Sequence, residues 1–179
     1  MSTLTEIGIL LAIPEPYGGE LSARRAAYGD PQADTVPMHV TLLPPTEVDP
    51  ASLPEIEKHL EAVAERGRPF RMGLSGTGTF RPVSQVVFMR VEPGEAQCAE
   101  LEAQVRAGIL YRELQFPYHP HVTVAHDLDQ AVLDAAQADL AGYRAEFEIF
   151  GFGLYHRESD GSWTTLRSFS FPAGIRAAA

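Results

Sequence analysis

Two short stretches of this chain repeat a pattern that can do chemistry, His39-Val40-Thr41-Leu42 and His121-Val122-Thr123-Val124. In each, a histidine and a threonine stand two positions apart, and in an extended strand such residues point to the same face. An unperturbed imidazole titrates near pH ~6.5, so around neutrality one ring can be neutral and accept a proton while its partner stays charged and donates one. In-line displacement at phosphorus needs such a base and acid on opposite sides. The threonine hydroxyls could donate to the phosphoryl oxygens as charge builds there. That chemistry requires no metal and no cofactor. A single His-x-Thr would carry little weight, because a half-exposed strand must place something polar outward; two copies in matching settings carry much more.

The elements that would position these residues can be read from periodicity. Ile7 to Ile13 reads as a buried strand and Glu20 to Tyr28 as a short helix ended by Gly29 and Pro31. Val36, Met38, Val40 and Leu42 alternate with Pro37, His39, Thr41 and Leu43, which puts the first motif on a strand. Ser52 and Glu55 form a capping box that opens a helix carrying Ile56, Leu60 and Val63 as far as Gly67. Phe70, Met72 and Leu74 lead through Gly76 and Gly78 to Phe80, and Val86 to Val91 completes a hairpin. Cys98, Leu101 and Val105 mark a third helix, and Phe116 to Ala125 reads as the strand of the second motif. Asp129 can cap a fourth helix with Val132, Leu133, Ala136 and Leu140. Strands near Glu146 to Tyr155 and Trp163 to Phe171 flank an Asp160-Gly161 turn.

Apart from the first strand, the order helix, His-Val-Thr strand, helix, strand, strand occurs twice. Phe70-x-Met72 before Gly76-x-Gly78 matches Phe147-x-Ile149 before Gly151-x-Gly153. This reads as an internal duplication with its boundary near residues 92–95, inside one bilobal domain spanning 1–179. The expected fold class is α+β: two pseudo-symmetric lobes, each an antiparallel sheet with outer helices, facing a central cleft flanked by the motif strands.

Composition narrows the partners. With 14 Lys+Arg against 24 Asp+Glu and a formal charge of -10, no broad cationic surface is available to hold duplex nucleic acid. A nucleic-acid substrate would be short or held by its end. Cys98 is alone, so there is no internal disulfide, and a reducing, cytoplasmic setting is expected. Ile7 to Ile13 follows acidic Glu6 and is too short to span a bilayer, so neither signal peptide nor membrane anchor is expected. The stretch from Ala173 to Ala179 reads as frayed, and the chain as a monomer.

Around the quartet, Phe80 and Tyr118 could stack on a base, and His119 and His126 could line the phosphate pocket. His119, His121 and His126 also allow an alternative reading, a metal-dependent hydrolase that a chelator would inactivate. A noncatalytic RNA-end or nucleotide-binding module is a third. The Gly76-Thr77-Gly78 run lacks the Gly-Lys-Ser/Thr of a phosphate loop, and Cys98 reads as a packing residue.

The pair His39-Val40-Thr41-Leu42 and Pro120-His121-Val122-Thr123-Val124-Ala125 resembles the two-histidine (2H) phosphoesterase superfamily, in its RNA ligase/cyclic phosphodiesterase branch, over nearly the whole chain. The resemblance implies both motifs lining a central cleft and hydrolysis of 2′,3′-cyclic phosphodiesters at RNA ends or of related small cyclic nucleotides. It also implies the reverse chemistry, 2′-5′ ligation. Two stretches depart from the family pattern: Leu43-Pro44-Pro45-Thr46 after the first motif, and His126-Asp127 after the second, where relatives commonly carry an Arg. The missing cation leaves the quartet intact and tilts the expected substrate toward smaller cyclic phosphates.

Overall fold

The structure is a computed structural model that describes residues 3–173, so all but the first residue of the stretch read as frayed lies outside the described residues. Among these, the chain forms β1 (Thr5–Ala12), α1 (Tyr17–Ala27), β2 (His39–Val48), α2 (Leu53–Arg66), β3 (Phe70–Thr79) and β4 (Val86–Val91). Then follow α3 (Glu95–Val105), β5 (His121–His126), α4 (Gln130–Asp139), β6 (Arg144–Ile149), β7 (Gly151–Arg157) and β8 (Trp163–Ser170). The strands make two four-stranded sheets, ordered β2-β1-β7-β8 and β5-β4-β3-β6. Every pairing is antiparallel, so the fold is the α+β arrangement the sequence implies. No helix among the described residues is long and apolar enough to cross a membrane.

Alternation decides what each strand buries. Ile7, Ile9 and Leu11 are fully buried on one face of β1, and Ile56, Leu60 and Val63 of α2 are fully or almost fully buried at helical spacing. The helices cross between the two halves of the chain. From the second half, α3 lies against β2 and α2, whereas α1, from the first, lies against β5. Arg24 of α1 and Tyr28 just after it both reach Asp139 of α4, and the Tyr143 hydroxyl donates to Glu20. The strands cross as well: β3 pairs with β6 through its first half and with β4 through its second.

The ladders on the two sides correspond residue by residue. Leu10 pairs with Thr41 and with Gly153, and Phe88 pairs with Thr123 and with Gly78. Ala12 stands opposite His39 as Arg90 stands opposite His121. β1 is thus placed beside β2 as β4 is beside β5.

Several local expectations need correction. Ser52 does not form a capping box. Its backbone is already helical, at φ -85° and ψ -10°, and its hydroxyl donates to the Asp49 carbonyl, whereas a capping residue sits in the extended region. The Asp49 carboxylate instead accepts from the Ala51 amide. Asp129 does stand at the start of α4 but makes no side-chain cap bond. β2 begins at His39 and runs on through Pro44 and Pro45 to Val48; it is an edge strand, where a missing N–H is tolerated. β5 begins at His121 rather than Phe116, after Pro117 and Pro120, which cannot donate to a ladder. The segment from Glu146 to Tyr155 is two strands, broken at Phe150 and lying in different sheets.

One buried ion pair ties the halves together. Arg25 Nε lies 2.8 Å from Asp30 Oδ2, with side chains 4% and 1% exposed. The same carboxylate accepts from the Gln32 amide at 2.9 Å and from the His126 amide at 3.1 Å. Asp30 therefore joins α1, the turn after it and the end of β5. Removing one partner leaves a charge uncompensated in the interior, which typically costs about 3 kcal/mol or more. Asp30→Ala should lower the unfolding free energy by about that amount in urea titrations, and a double apolar replacement of Arg25 and Asp30 should lose less than the two single changes summed.

Candidate active site

His39 and His121 are the first residues of β2 and β5, and both are half-buried. His39 Nδ1 lies 2.6 Å from the Pro37 carbonyl oxygen, and His121 Nδ1 lies 2.7 Å from that of His119. A carbonyl can only accept, so in each ring Nδ1 carries the proton and Nε2 is left as the acceptor. The same bond to residue i-2 fixes the same tautomer at both motifs. Val40, Val122 and Val124 are fully buried, and strand alternation turns Thr41 and Thr123 to the face of the histidines. Among the described residues, no protein group takes up either threonine hydroxyl.

β2 and β5 are edge strands of separate sheets and lie in contact. Burial first, and then the charges of Arg25 and His121, push His39 down to about 4, against the opposing hydrogen bond to Pro37. His121 is lowered mainly by burial, with the bond to the His119 carbonyl opposing and the charge of His119 adding. Neither ring has a carboxylate partner among the described residues. Both shifts favour the neutral imidazole in the ligand-free protein. A bound phosphate anion would reverse this, because an opposite charge within about 4–6 Å favours imidazolium.

The neighbours expected at the site are distributed differently. Phe80 stands edge-on to His121, with centroids 4.8 Å apart at 89°, and 5.5 Å from His119. Phe88 packs on Phe80 at 4.4 Å and on His121 at 5.4 Å. These rings hold the second histidine in place. The Tyr118 hydroxyl donates to the Thr41 carbonyl at 2.8 Å, tying the loop before one motif to the strand of the other; burial holds this phenol well above its usual range. His126 sits at the far end of β5 beside Asp127, about 16 Å along the strand from His121 at ~3.3 Å per residue. Among the described residues no group of three His, Cys, Asp or Glu is arranged to hold a metal ion.

Arg25 and Asp30 escaped the sequence reading. Their one signal was an arginine four positions after Leu21, on the buried face of a helix.

This two-lobed α+β fold, with a His-x-Thr strand at the facing edge of each sheet, defines a class. The chain belongs to the 2′-5′ RNA ligase superfamily, whose family model matches residues 13–161. A protein of Oceanobacillus iheyensis whose name assigns it provisionally to the phosphoesterases is 27% identical over 164 residues, covering 90% of this chain and 95% of its own. A Bacillus thuringiensis protein of the same designation is 27% identical over 175 residues, covering 94% and 98%. Two crystal structures share the fold: E. coli LigT complexed with 3′-AMP (TM-score 0.69, 22% identity, 94% of this chain and 99% of that one), and TT0787 of Thermus thermophilus (TM-score 0.67, 22% identity, 94% and 98%).

The lowered histidines make stability depend on pH. The unfolded chain takes up the His39 proton near ~6.5, whereas the folded protein does so only at about 4. The contribution is complete above ~6.5 and is lost as pH falls toward the folded value. Urea unfolding between pH 7 and 4 should show stability falling with pH, and His39→Gln should flatten that slope; parallel curves would contradict the assignment.

Proposed function

We propose that this protein is a phosphoesterase that opens 2′,3′-cyclic phosphodiesters, on an RNA 3′ end or a small nucleotide, with His39 and His121 as its acid/base pair. The observation that carries this reading is the matched pair of imidazoles on touching edge strands, each with Nδ1 bound to a carbonyl and Nε2 left as the acceptor. A nucleotide ligand is supported by the E. coli relative, whose crystals hold 3′-AMP and, separately, phosphate. The whole chain acts as one domain.

His39, the less basic ring and so the one left unprotonated, takes the general-base role. Burial and the nearby Arg25 cation disfavour its imidazolium, so it is neutral when substrate arrives. It takes a proton from water as the water oxygen bonds to phosphorus. On the opposite side one ribose oxygen leaves and takes a proton from His121, which the bound anion has helped to protonate. The Thr41 and Thr123 hydroxyls donate to the two remaining phosphoryl oxygens. The product is a phosphomonoester, and the His39 proton returns to His121 through solvent. The route needs no metal ion.

Turnover of a panel of cyclic phosphates in excess chelator should fall by about 10²–10⁴ in His39→Ala and in His121→Ala, and less in Thr41→Val or Thr123→Val. The free-enzyme profile of kcat/KM should rise with pH through about 4, where His39 loses its proton. It should fall again below the ordinary imidazole value, where His121 does, while the falling limb of kcat lies at higher pH because bound substrate holds that proton. Activity abolished by chelator, or no turnover by a protein that still binds the ligand, would overturn the proposal.

A further inference from the structure

β4 runs beside the strand of the second motif, and its register sets Phe88 opposite Thr123 and Arg90 opposite His121. Directly paired residues of antiparallel strands share a face, with Cβ atoms about 4.5–5.5 Å apart. The ring of Phe88 meets the ring of His121, which identifies that face as the one lining the cleft. Arg90, two residues along, shares it. It is the only exposed residue of a strand otherwise buried. Seven other arginines hold carboxylates, yet among the described residues none pairs with Arg90. An acidic chain thus leaves a free guanidinium directly beside one of its two cleft histidines.

The corresponding place beside His39 is different. There the cross-strand residue is Ala12, which borders a cavity of about 290 Å³ lined also by Glu148, Phe150, Phe152, Tyr155 and Phe169. The cross-strand position offers a cation beside His121 and only a methyl group beside His39. The two motifs match, but their surroundings do not.

We infer that Arg90 is an anion-binding residue of the cleft, and that the substrate is a cyclic phosphate carrying a second phosphate group on the His121 side. This rests on the phosphoesterase reading and narrows its substrate class. A guanidinium presents two parallel N–H donors that match phosphate oxygens. The register sets Arg90 beside His121, with Ala12 in the matching place beside His39, so we assign to it a group attached to the substrate on the His121 side rather than the phosphate being cleaved. The second phosphate could be the 5′-phosphate of a mononucleotide or the next diester of a short RNA.

The test compares kcat/KM for adenosine 2′,3′-cyclic phosphate, its 5′-phosphorylated form, and a dinucleotide ending in the cyclic phosphate. The wild type should prefer a substrate with the second phosphate by about tenfold or more, the size of a charge-assisted bond. Arg90→Ala should bring that ratio to about one, and Arg90→Lys should restore part of it. A greater preference for the dinucleotide points to an RNA end, and for the 5′-phosphorylated monomer to a small nucleotide. A wild-type ratio of one, or a ratio unchanged in Arg90→Ala, overturns the inference. If the wild type opens none of the three, the phosphoesterase reading fails, and Arg90 is judged by calorimetry with adenosine 3′-phosphate and adenosine 3′,5′-bisphosphate. Tighter binding of the bisphosphate that Arg90→Ala abolishes would sustain the anion site; equal binding by both proteins, or none by the wild type, would overturn it.

Discussion

A sheet edge presents unpaired amides and carbonyls, and two such edges brought together would ordinarily zip into one continuous sheet. Here β2 and β5 meet without joining. Side chains from elsewhere in the chain take up part of their edges: the Tyr118 hydroxyl binds the Thr41 carbonyl, and the Asp30 carboxylate binds the His126 amide. Each tie crosses from one half of the chain to the other. The cleft, and with it the meeting of the two histidines, depends on that arrangement. Helices α1 and α3 reinforce it by packing on the lobe opposite to their own first strand.

Within the cleft, burial dominates the electrostatics. It lowers both imidazoles, more strongly at His39, where Arg25 adds its charge. A pair that is neutral when empty and gains a proton with an anionic ligand couples protonation to substrate binding. In the proposed reaction that coupling separates the roles of two motifs whose sequences are nearly alike, because the surroundings differ: Arg25 near His39, and Phe80, Phe88 and His119 around His121.

The motifs were legible because strand alternation has a period of two: valines that must be buried force histidine and threonine outward together. The helices read equally well from their apolar stripes, as Ile56, Leu60 and Val63 show. What failed were features settled by partners distant in sequence. Ser52 looks like a cap until the turn begun at Pro50 gives it helical dihedrals. The Tyr118 hydroxyl meets a carbonyl 77 positions away, a tie that no local pattern announces. Arg90 sits in a run that reads as apolar strand, and its meaning comes only from the register that places it opposite His121. The ladder correspondences match β1 to β4 and β2 to β5 across the two sheets, a kinship carried by register rather than by any local sequence pattern.

The central claim is that His39 and His121 share one phosphate-sized site and respond to its charge. It is tested most directly by following the Cε1–H resonances of both histidines by NMR across pH, with and without saturating adenosine 3′-phosphate. The account predicts that both titrate below the usual imidazole range in the free protein, with His39 near 4, and that the ligand raises both, leaving His121 the more basic. Two rings that titrate normally, or that do not respond to the bound nucleotide, would contradict it.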